Sequence, residues 1–284
     1  MITQFIKFIL NILKLTLLNY YLKFDNISLY FGGLYMYLFK SDKKPIYALI
    51  LRILGLLISI TAISLQLFTN KIIGKGFMAN HVLAYNTIQT NIMCFIMFLA
   101  LLIKTIMDYA KNKKLEVSEV SKSMQLAVTY FIFLVMMGYW PLLAPMVGIG
   151  KTPIEMCNTL FLHLFTPLIT IIDTLLFLDH GKINRKDCFK WTIYPLFYLI
   201  LIITIANVSD VPYYQFPVGD KMIPLHYPYP IFDPQVVGVA GLVIMSFVQV
   251  FSNLLFSYLF ICLDHKIAKM ISKRNKKLNL NSQE

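Results

Sequence analysis

Charged residues are scarce in this chain. Asp, Glu, Lys and Arg make up 14% of its 284 residues, whereas a typical soluble domain carries about 25%. Apolar residues make up 58%, and the mean hydropathy is +0.67. This composition excludes an ordinary soluble globular protein and indicates a membrane protein.

Cysteine pairs and the common catalytic motifs are also missing. The four cysteines lie far apart and form no CxxC pair, which argues against a disulfide framework and a zinc site. The sequence contains no phosphate-binding loop, dinucleotide fingerprint, GxSxG elbow or HExxH motif. We therefore expect neither a cofactor nor a metal. The cysteines are Cys94, Cys157, Cys188 and Cys262.

Long apolar runs, in contrast, recur along the chain. Each of six runs has at least 18 residues, enough to cross about 30 Å of hydrocarbon as a helix. Because the runs are continuous rather than alternating, they exclude a transmembrane β-barrel. The sequence predicts an all-α fold, a polytopic membrane bundle of six transmembrane helices. The predicted spans are Ile46–Phe68, Tyr85–Ile106, Leu126–Val147, Cys157–Leu178, Trp191–Val208 and Val236–Cys262.

The net charge of +12 is unevenly distributed over the loops. Alternate loops are rich in lysine and arginine, which is the pattern of cytoplasmic loops. We expect a multi-pass plasma-membrane protein with both termini in the cytoplasm, and a membrane lipid rather than nucleic acid as its partner. The sequence leaves the oligomeric state open. The basic groups lie before span one (Lys40, Lys43 and Lys44), between spans two and three (Lys111, Lys113, Lys114 and Lys122), between spans four and five (Lys182, Arg185, Lys186 and Lys190) and after span six (the basic residues of Lys266–Lys277). The alternate loops carry only Lys71, Lys75, Lys151 and Lys221.

The N-terminal segment differs from the spans. Gln4, Lys7, Asn11 and Lys14 recur at helical spacing among apolar residues, which favours an amphipathic helix on the inner membrane surface. Residues 27–39 are too short to span comfortably and could also lie in the interface. The predicted organisation is an N-terminal interfacial segment (1–44), a six-helix transmembrane domain (45–266) and a basic cytoplasmic tail (267–284).

The fourth span carries ionisable residues. His163 and Asp173 lie inside it, and a buried ionisable residue in a membrane is a functional-site hypothesis by default. Thr159, Thr166 and Thr170 fall on the same face of the helix, at 100° per residue. Asp173 lies about 15 Å deeper than His163, so it cannot hold the imidazole ring. It would order a water or polar groups of spans five and six, or make a helix-to-helix hydrogen bond.

Span two has a polar face at a depth comparable to His163. Thr87, Thr90, Asn91 and Cys94 share that face near the outer end. Small polar residues also commonly line helix interfaces in membranes. The polar face is therefore either part of a site or an interhelical contact.

The loop between spans five and six is rich in proline and aromatic residues. Ser209–Pro234 contains six prolines and six Tyr or Phe residues. Prolines restrict the backbone and aromatic rings favour the membrane interface. The loop would cover the outer mouth of the bundle or only anchor the helix ends.

Several segments together resemble a known family. They are similar, in order and topology, to the androgen-induced-gene and androgen-dependent TFPI-regulating family of six-span membrane proteins, including its bacterial relatives. The resemblance covers about residues 44–266, and the shared order of the segments carries it rather than any single motif. The segments are Tyr85-Asn-Thr-Ile-Gln-Thr-Asn91, His163 with Pro167 and Asp173, Trp191 with Tyr194-Pro195, and His226-Tyr-Pro-Tyr-Pro-Ile-Phe-Asp233.

The resemblance implies an enzyme. Animal members of the family are intramembrane threonine hydrolases that cleave fatty acid esters of hydroxy fatty acids. Their threonine matches Thr87, with Thr90 as the alternative, and their histidine matches His163. Asn91, Gln89 or Tyr85 could then stabilise the oxyanion.

Two other functions are compatible with the same residues. An acyltransferase would use the same covalent chemistry as the hydrolase. A transport or lipid-binding bundle would line a polar cavity with His163 and Asp173. The absence of an internal repeat favours the hydrolase over a transporter.

The charge pattern gives a testable topology. Single cysteines placed near Lys113, Arg185 and Arg274 should be protected from a membrane-impermeant thiol reagent in intact cells. Cysteines near Lys75 and Lys221 should react, because those loops lie outside. Labelling near Arg185 from the outside would exclude the six-span topology.

Overall fold

The computed structural model describes residues 43–72, 81–218 and 221–281. The described residues contain six helices that are long and apolar enough to cross a membrane. The predicted six-helix membrane bundle is confirmed at this level. The N-terminal interfacial helix predicted for residues 1–44 lies almost wholly outside the described residues.

The six helical segments follow one another along the chain, and some contain more than one kind of helix. They are α1 (Lys44–Ile72), α2 (Asn86–Asn112), α3 (Lys122–Gly138, continued by a π-helix over Tyr139–Leu143 and by Ala144–Val147), α4 (Pro153–Leu160, a π-helix over Phe161–Phe165, and Thr166–Phe177), α5 (Asp187–Trp191 and Ile193–Val208) and α6 (Pro234–Asn281). Short 3-10 turns occur at Val82–Ala84 and Pro230–Phe232.

Local sequence signals explain several helix ends. The Thr152 side chain and Glu155 form a capping box at the start of α4, and Pro153 occupies the first turn, where a missing N–H costs nothing. Ser121 caps α3 by accepting a hydrogen bond from the amide of Met124. These ends therefore follow from the sequence itself.

Helices α1 to α4 form the tightly packed part of the bundle. Gly55 of α1 lets the helix approach α2 closely, because a Cβ atom there would lie 2.5 Å from the ring of Phe98. Further along, Ala62 of α1 packs with Ile88 of α2 and Leu162 of α4. Small residues at the contact allow this close approach, as is usual for membrane helices.

The bundle has two distinguishable ends. At one end, Lys122 at the start of α3 pairs with Asp179, which follows α4, at 2.6 Å, and the loops between α2 and α3 and between α4 and α5 carry many lysines. We call this the basic end. At the opposite end, which we call the far end, α2 begins at Asn86 and the long loop between α5 and α6 folds.

Helices α5 and α6 lie at the edge of the bundle. Phe247 and Phe251 of α6 are 74% and 72% exposed, and Ile200 of α5 is 64% exposed. Apolar side chains exposed to this extent are suited to lipid contact.

Two buried ionisable residues fasten α6 at the basic end. Nδ1 of His180 lies 2.6 Å from Oδ1 of Asp264, and the amide of Gly181 donates to Oδ2 at 2.7 Å. Nε2 of His180 lies 3.2 Å from the carbonyl oxygen of Leu175. Nδ1 of His180 and the amide of Gly181 therefore link the residues that follow α4 to α6, and Nε2 links them to α4 itself.

The loop between α5 and α6 folds into a hairpin at the far end. Strands β1 (Tyr214–Val218) and β2 (Lys221–Leu225) pair antiparallel. The buried carboxylate of Asp233 accepts from the amides of His226 and Gln235, each at 2.9 Å. This hairpin is a local exception to the predicted all-α fold.

The helix ends also refine the predicted domain boundaries. The sequence predicts a basic tail from residue 267, but α6 continues as helix to Asn281. At its other end, α6 bends at Gly238, whose φ of 73° lies in a region that suits glycine. The tail is therefore helical over much of its length.

The contact between α1 and α2 gives a stability prediction. Gly55→Ala should destabilise the bundle by about 1–3 kcal/mol, because the added methyl group overlaps the buried Phe98 ring. Thermal unfolding in detergent measures the loss. Gly138→Ala is the matched control, since its new Cβ meets no atom within 4 Å. Phe98→Leu should partly rescue Gly55→Ala, and equal losses at Gly55 and Gly138 would contradict the close contact.

Candidate functional site

His163 lies where two π-helical turns face each other. The turn Phe161–Phe165 contains it, and the turn Tyr139–Leu143 of α3 lies opposite. The Tyr139 ring stacks on the imidazole with a centroid distance of 3.8 Å, and Nε1 of Trp140 donates to the His163 carbonyl oxygen at 2.9 Å. Single π-turns are frequent at functional sites, because they free backbone carbonyls and reorient side chains.

The hydrogen bond of the His163 ring fixes its tautomer. Nδ1 lies 3.1 Å from the carbonyl oxygen of Thr159, which can only accept, so Nδ1 carries the proton. In the neutral ring, Nε2 then holds the lone pair. Among the described residues, no hydrogen bond to Nε2 is found. The ring is therefore oriented to accept a proton at Nε2.

Asn91 links α2 to the turn that holds His163. Its Nδ2 donates to the carbonyl oxygens of Thr87 at 2.8 Å and Leu162 at 3.3 Å. Both amide hydrogens are used, so Asn91 is not free to stabilise an oxyanion as the sequence suggested. Its buried Oδ1 has no hydrogen-bond partner among the described residues. Asn91 thus positions the backbone on both sides of the site.

The two candidate nucleophiles differ in their surroundings. The Thr90 hydroxyl is fully buried and donates within its own helix, 3.0 Å from the carbonyl oxygens of Asn86 and Thr87. The Thr87 side chain is half-buried and lies beside the hydroxyl of Tyr229 from the far-end loop. Within the described residues, neither hydroxyl is hydrogen-bonded to the His163 ring. The helices bring Thr87 and His163 to the same end of the bundle, and no hydrogen bond joins the two side chains among the described residues.

A group of tyrosines covers the start of α2. Burial raises the pKa of Tyr229, while the neighbouring Thr87 and Tyr198 side chains oppose that rise, so the phenol stays protonated and able to donate. The Tyr85 ring meets Tyr229 and Tyr213 edge-on, at 6.2 and 5.7 Å between ring centroids. Burial and the nearby Tyr229 raise the pKa of Tyr213 to about 12. The far-end loop is therefore part of the site.

Helix α5 adds a further tyrosine that contacts the start of α2. The Tyr194 hydroxyl donates to Oδ1 of Asn86 at 2.6 Å and to Oε1 of Gln89 at 3.1 Å. Nε2 of Gln89 donates to the carbonyl oxygen of Leu83 at 2.8 Å. That bond uses one of the two Gln89 amide hydrogens, so Gln89, Tyr85 and Tyr229 all remain as candidate oxyanion donors.

Asp173 belongs to a separate buried cluster nearer the basic end. Oδ1 of Asp173 pairs with Nε of Arg52 in α1 at 3.2 Å, and Oδ2 accepts from Nε2 of Gln125 in α3 at 3.1 Å. Nη1 of Arg52 also donates to the carbonyl oxygen of Ser118 at 2.8 Å. The side chains of Arg52 and Asp173 are 1% and 0% exposed. Of the two roles that the sequence left open for Asp173, the structure has the helix-to-helix hydrogen bond, with partners from spans one and three rather than from spans five and six.

The chain's relation to other proteins adds no constraint on this site. Comparisons with family models, curated proteins and solved structures give no match. Within residues 43–72, 81–218 and 221–281, no group of three His, Cys, Asp or Glu side chains is placed to hold a metal ion. The family resemblance of the sequence therefore stays a hypothesis.

Sequence reasoning missed several residues of these sites. One of them is Arg52 of the first span, although an arginine inside a span is a signal for a buried partner. Tyr139 gave no signal, because an aromatic residue near the end of a span is ordinary, and Tyr229 was considered only as one of the aromatic residues of the loop between spans five and six. Their roles depend on how α3 and the far-end loop fold.

The ion pair predicts a large effect of removing one partner. Asp173→Asn should destabilise the bundle by about 3–5 kcal/mol, because it leaves the Arg52 guanidinium buried without a counter-ion. Arg52→Gln should cost a similar amount, and the double variant should cost much less than the sum. Thermal unfolding in detergent measures all three.

Asp179→Asn is the matched control for this prediction. It removes a carboxylate from a half-exposed pair with Lys122, so it should cost about 1 kcal/mol or less. Additive losses in the double variant would contradict a direct interaction between Arg52 and Asp173.

Proposed function

We propose that the protein is a membrane-embedded hydrolase of lipid esters, with His163 as general base and Thr87 as nucleophile. The observation that carries the proposal is the His163 ring, whose Nδ1–H is bound to the Thr159 carbonyl oxygen at 3.1 Å. That bond leaves Nε2 as the basic nitrogen, beside two π-helical turns. The resemblance to the threonine-hydrolase family supports the same pair.

Thr87 is the better nucleophile of the two threonines. A threonine hydroxyl needs an adjacent base to attack at neutral pH, and it must be able to release its proton toward that base. The Thr90 hydroxyl already donates to its own helix and is fully buried. Thr87 lies one turn closer to the far end and is half-buried, with its side chain hydrogen-bonded to that of Tyr229, a contact that an entering ester would have to displace.

One rearrangement is needed before the reaction. Thr87 and His163 are not hydrogen-bonded among the described residues, so the Thr87 hydroxyl must turn toward Nε2 or reach it through one water. Catalytic hydrogen bonds are often long in the absence of substrate and shorten when it binds. The nearby backbone is held in place by Asn91, which joins Thr87 to Leu162.

The reaction would follow two balanced steps. Nε2 of His163 takes the Thr87 hydroxyl proton as Oγ1 attacks the ester carbonyl carbon, and the alcohol leaves with that proton. A water molecule, deprotonated by Nε2 of His163, then attacks the acyl–Thr87 ester; the fatty acid is released, and His163 returns the proton to Oγ1 of Thr87. The Tyr229 phenol, kept protonated by burial, would donate to the oxyanion. An alcohol in place of water would make the same site an acyltransferase.

The position of the site favours a lipid substrate. It lies at the far end of the bundle, where an ester carbonyl sits in a lipid headgroup region, and apolar helix surfaces surround it. With the basic loops in the cytoplasm, the site would face the outer leaflet of the plasma membrane. We include this orientation, with both termini cytoplasmic, in the proposal.

A second function is favoured by a different observation. The pair of Arg52 and Asp173 is fully buried, and Nη2 of Arg52 and Oε1 of Gln125 have no hydrogen-bond partner among the described residues. Buried polar atoms of this kind commonly bind water or an ion in membrane transporters. A transport or lipid-binding bundle would use this cluster instead of Thr87 and His163.

The catalytic proposal predicts a specific mutational pattern. Thr87→Ala and His163→Ala should each abolish hydrolysis of a fatty acid ester in detergent, while the unfolding temperature stays near that of the wild type. The double variant should be hardly worse than either single variant, because the two residues act as one unit. Labelling by a fluorophosphonate lipid probe should be lost in Thr87→Ala.

Thr90→Ala is the matched control, since it removes the neighbouring hydroxyl from the same helix. It should keep both probe labelling and hydrolysis. Loss of activity in Thr90→Ala but not in Thr87→Ala would move the nucleophile to Thr90. Unchanged labelling in all three single variants would favour the transport or lipid-binding function.

A further inference from the structure

We propose that a groove between α5 and α6 at the basic end binds an anionic phospholipid of the adjacent leaflet. The groove has a volume of about 330 Å³, within the range of about 300–1,000 Å³ of ligand pockets. Its walls are formed by Phe189 and Cys188 of α5 and by Phe251 and Leu255 of α6. Arg185 and Lys186 lie at its basic end, where their carbon atoms complete an apolar lining.

The walls suit an acyl chain. Phe189 is 64% exposed, Phe251 is 72% exposed and Leu255 is 38% exposed. In a membrane these apolar surfaces face lipid tails rather than water. A groove between two helices holds a chain against both walls, whereas a convex helix surface offers only one.

The two cations at the groove suit a negatively charged headgroup. Arg185 and Lys186 are exposed, and neither forms an ion pair among the described residues. The neighbouring Lys190, in contrast, pairs with Asp187 at 2.8 Å, and Lys122 pairs with Asp179. Arg185 and Lys186 therefore place two positive charges beside the groove that no ion pair among the described residues neutralises.

Charge and shape together select the ligand class. Basic pockets between transmembrane helices bind anionic headgroups, and each cation near the surface strengthens the attraction about fivefold. A neutral phospholipid would fill the apolar groove but gain nothing from Arg185 and Lys186. The site lies at the opposite end of the bundle from His163, so it does not depend on the proposed hydrolase activity.

Native mass spectrometry of the full chain in detergent tests the proposal. The protein is incubated with equal amounts of palmitoyl-oleoyl phosphatidylglycerol and phosphatidylcholine. We expect phosphatidylglycerol to be retained at least about fivefold more than phosphatidylcholine. Arg185→Gln/Lys186→Gln should remove most of that preference, and Leu255→Phe should weaken retention of phosphatidylglycerol by narrowing the groove while all the charges remain.

The matched control removes two positive charges as well, but from the loop between α2 and α3, which also lies at the basic end. Lys111→Gln/Lys114→Gln should keep the preference for phosphatidylglycerol, because these lysines lie outside the groove. Equal retention of the two lipids by the wild type would overturn the proposal. An equal loss of preference in both double variants would also overturn it, since that result indicates a general effect of net charge.

Discussion

The buried ion pair between Arg52 and Asp173 is the constraint on which the helix arrangement depends. A lone arginine or aspartate inside the bilayer is strongly unfavourable, so each must find the other as the bundle assembles. Because Arg52 lies in α1, Asp173 in α4 and Gln125 in α3, satisfying the pair fixes the rotation of three helices. The bond from Arg52 to Ser118 adds the loop before α3. Apolar contacts alone specify rotation weakly in a membrane, since lipid tails are as apolar as the helix surfaces.

The π-helical turn around His163 depends on neighbouring helices in a similar way. A π-turn leaves carbonyl oxygens without their usual partners, and here side chains supply them. Asn91 of α2 donates to Leu162, Trp140 of α3 donates to His163, and Thr166 donates to Phe161 from the same helix. The unusual backbone is thus stabilised from three helices. The imidazole position is a property of the assembled bundle rather than of one segment.

The sequence was sufficient for the six helices but not for the details of the sites. Span length and hydropathy are local properties, so runs such as Tyr85–Ile106 could be located within a few residues. The hydrogen-bond partners of Asp173 depend on which helices are neighbours, and periodicity within one span carries no such information. The hairpin of Tyr214–Leu225 was not predicted, because the prolines at 217 and 224 are typical of loops and argue against a strand. The roles assigned to Thr87 and His163 rest on chemistry and resemblance, and remain predictions.

The length of α6 has a mechanical consequence. From Gly238 to Asn281 the helix runs for about 65 Å at 1.5 Å per residue, roughly twice the thickness of the hydrocarbon layer. About half of it must therefore extend past the lipid tails at the basic end, with the contact between Asp264 and His180 as a pivot. The 17 residues beyond Asp264 form a lever of about 25 Å. A tilt of roughly 10° at the pivot would move the tip by about 4 Å, so a small change among the helices would become a visible displacement outside the membrane.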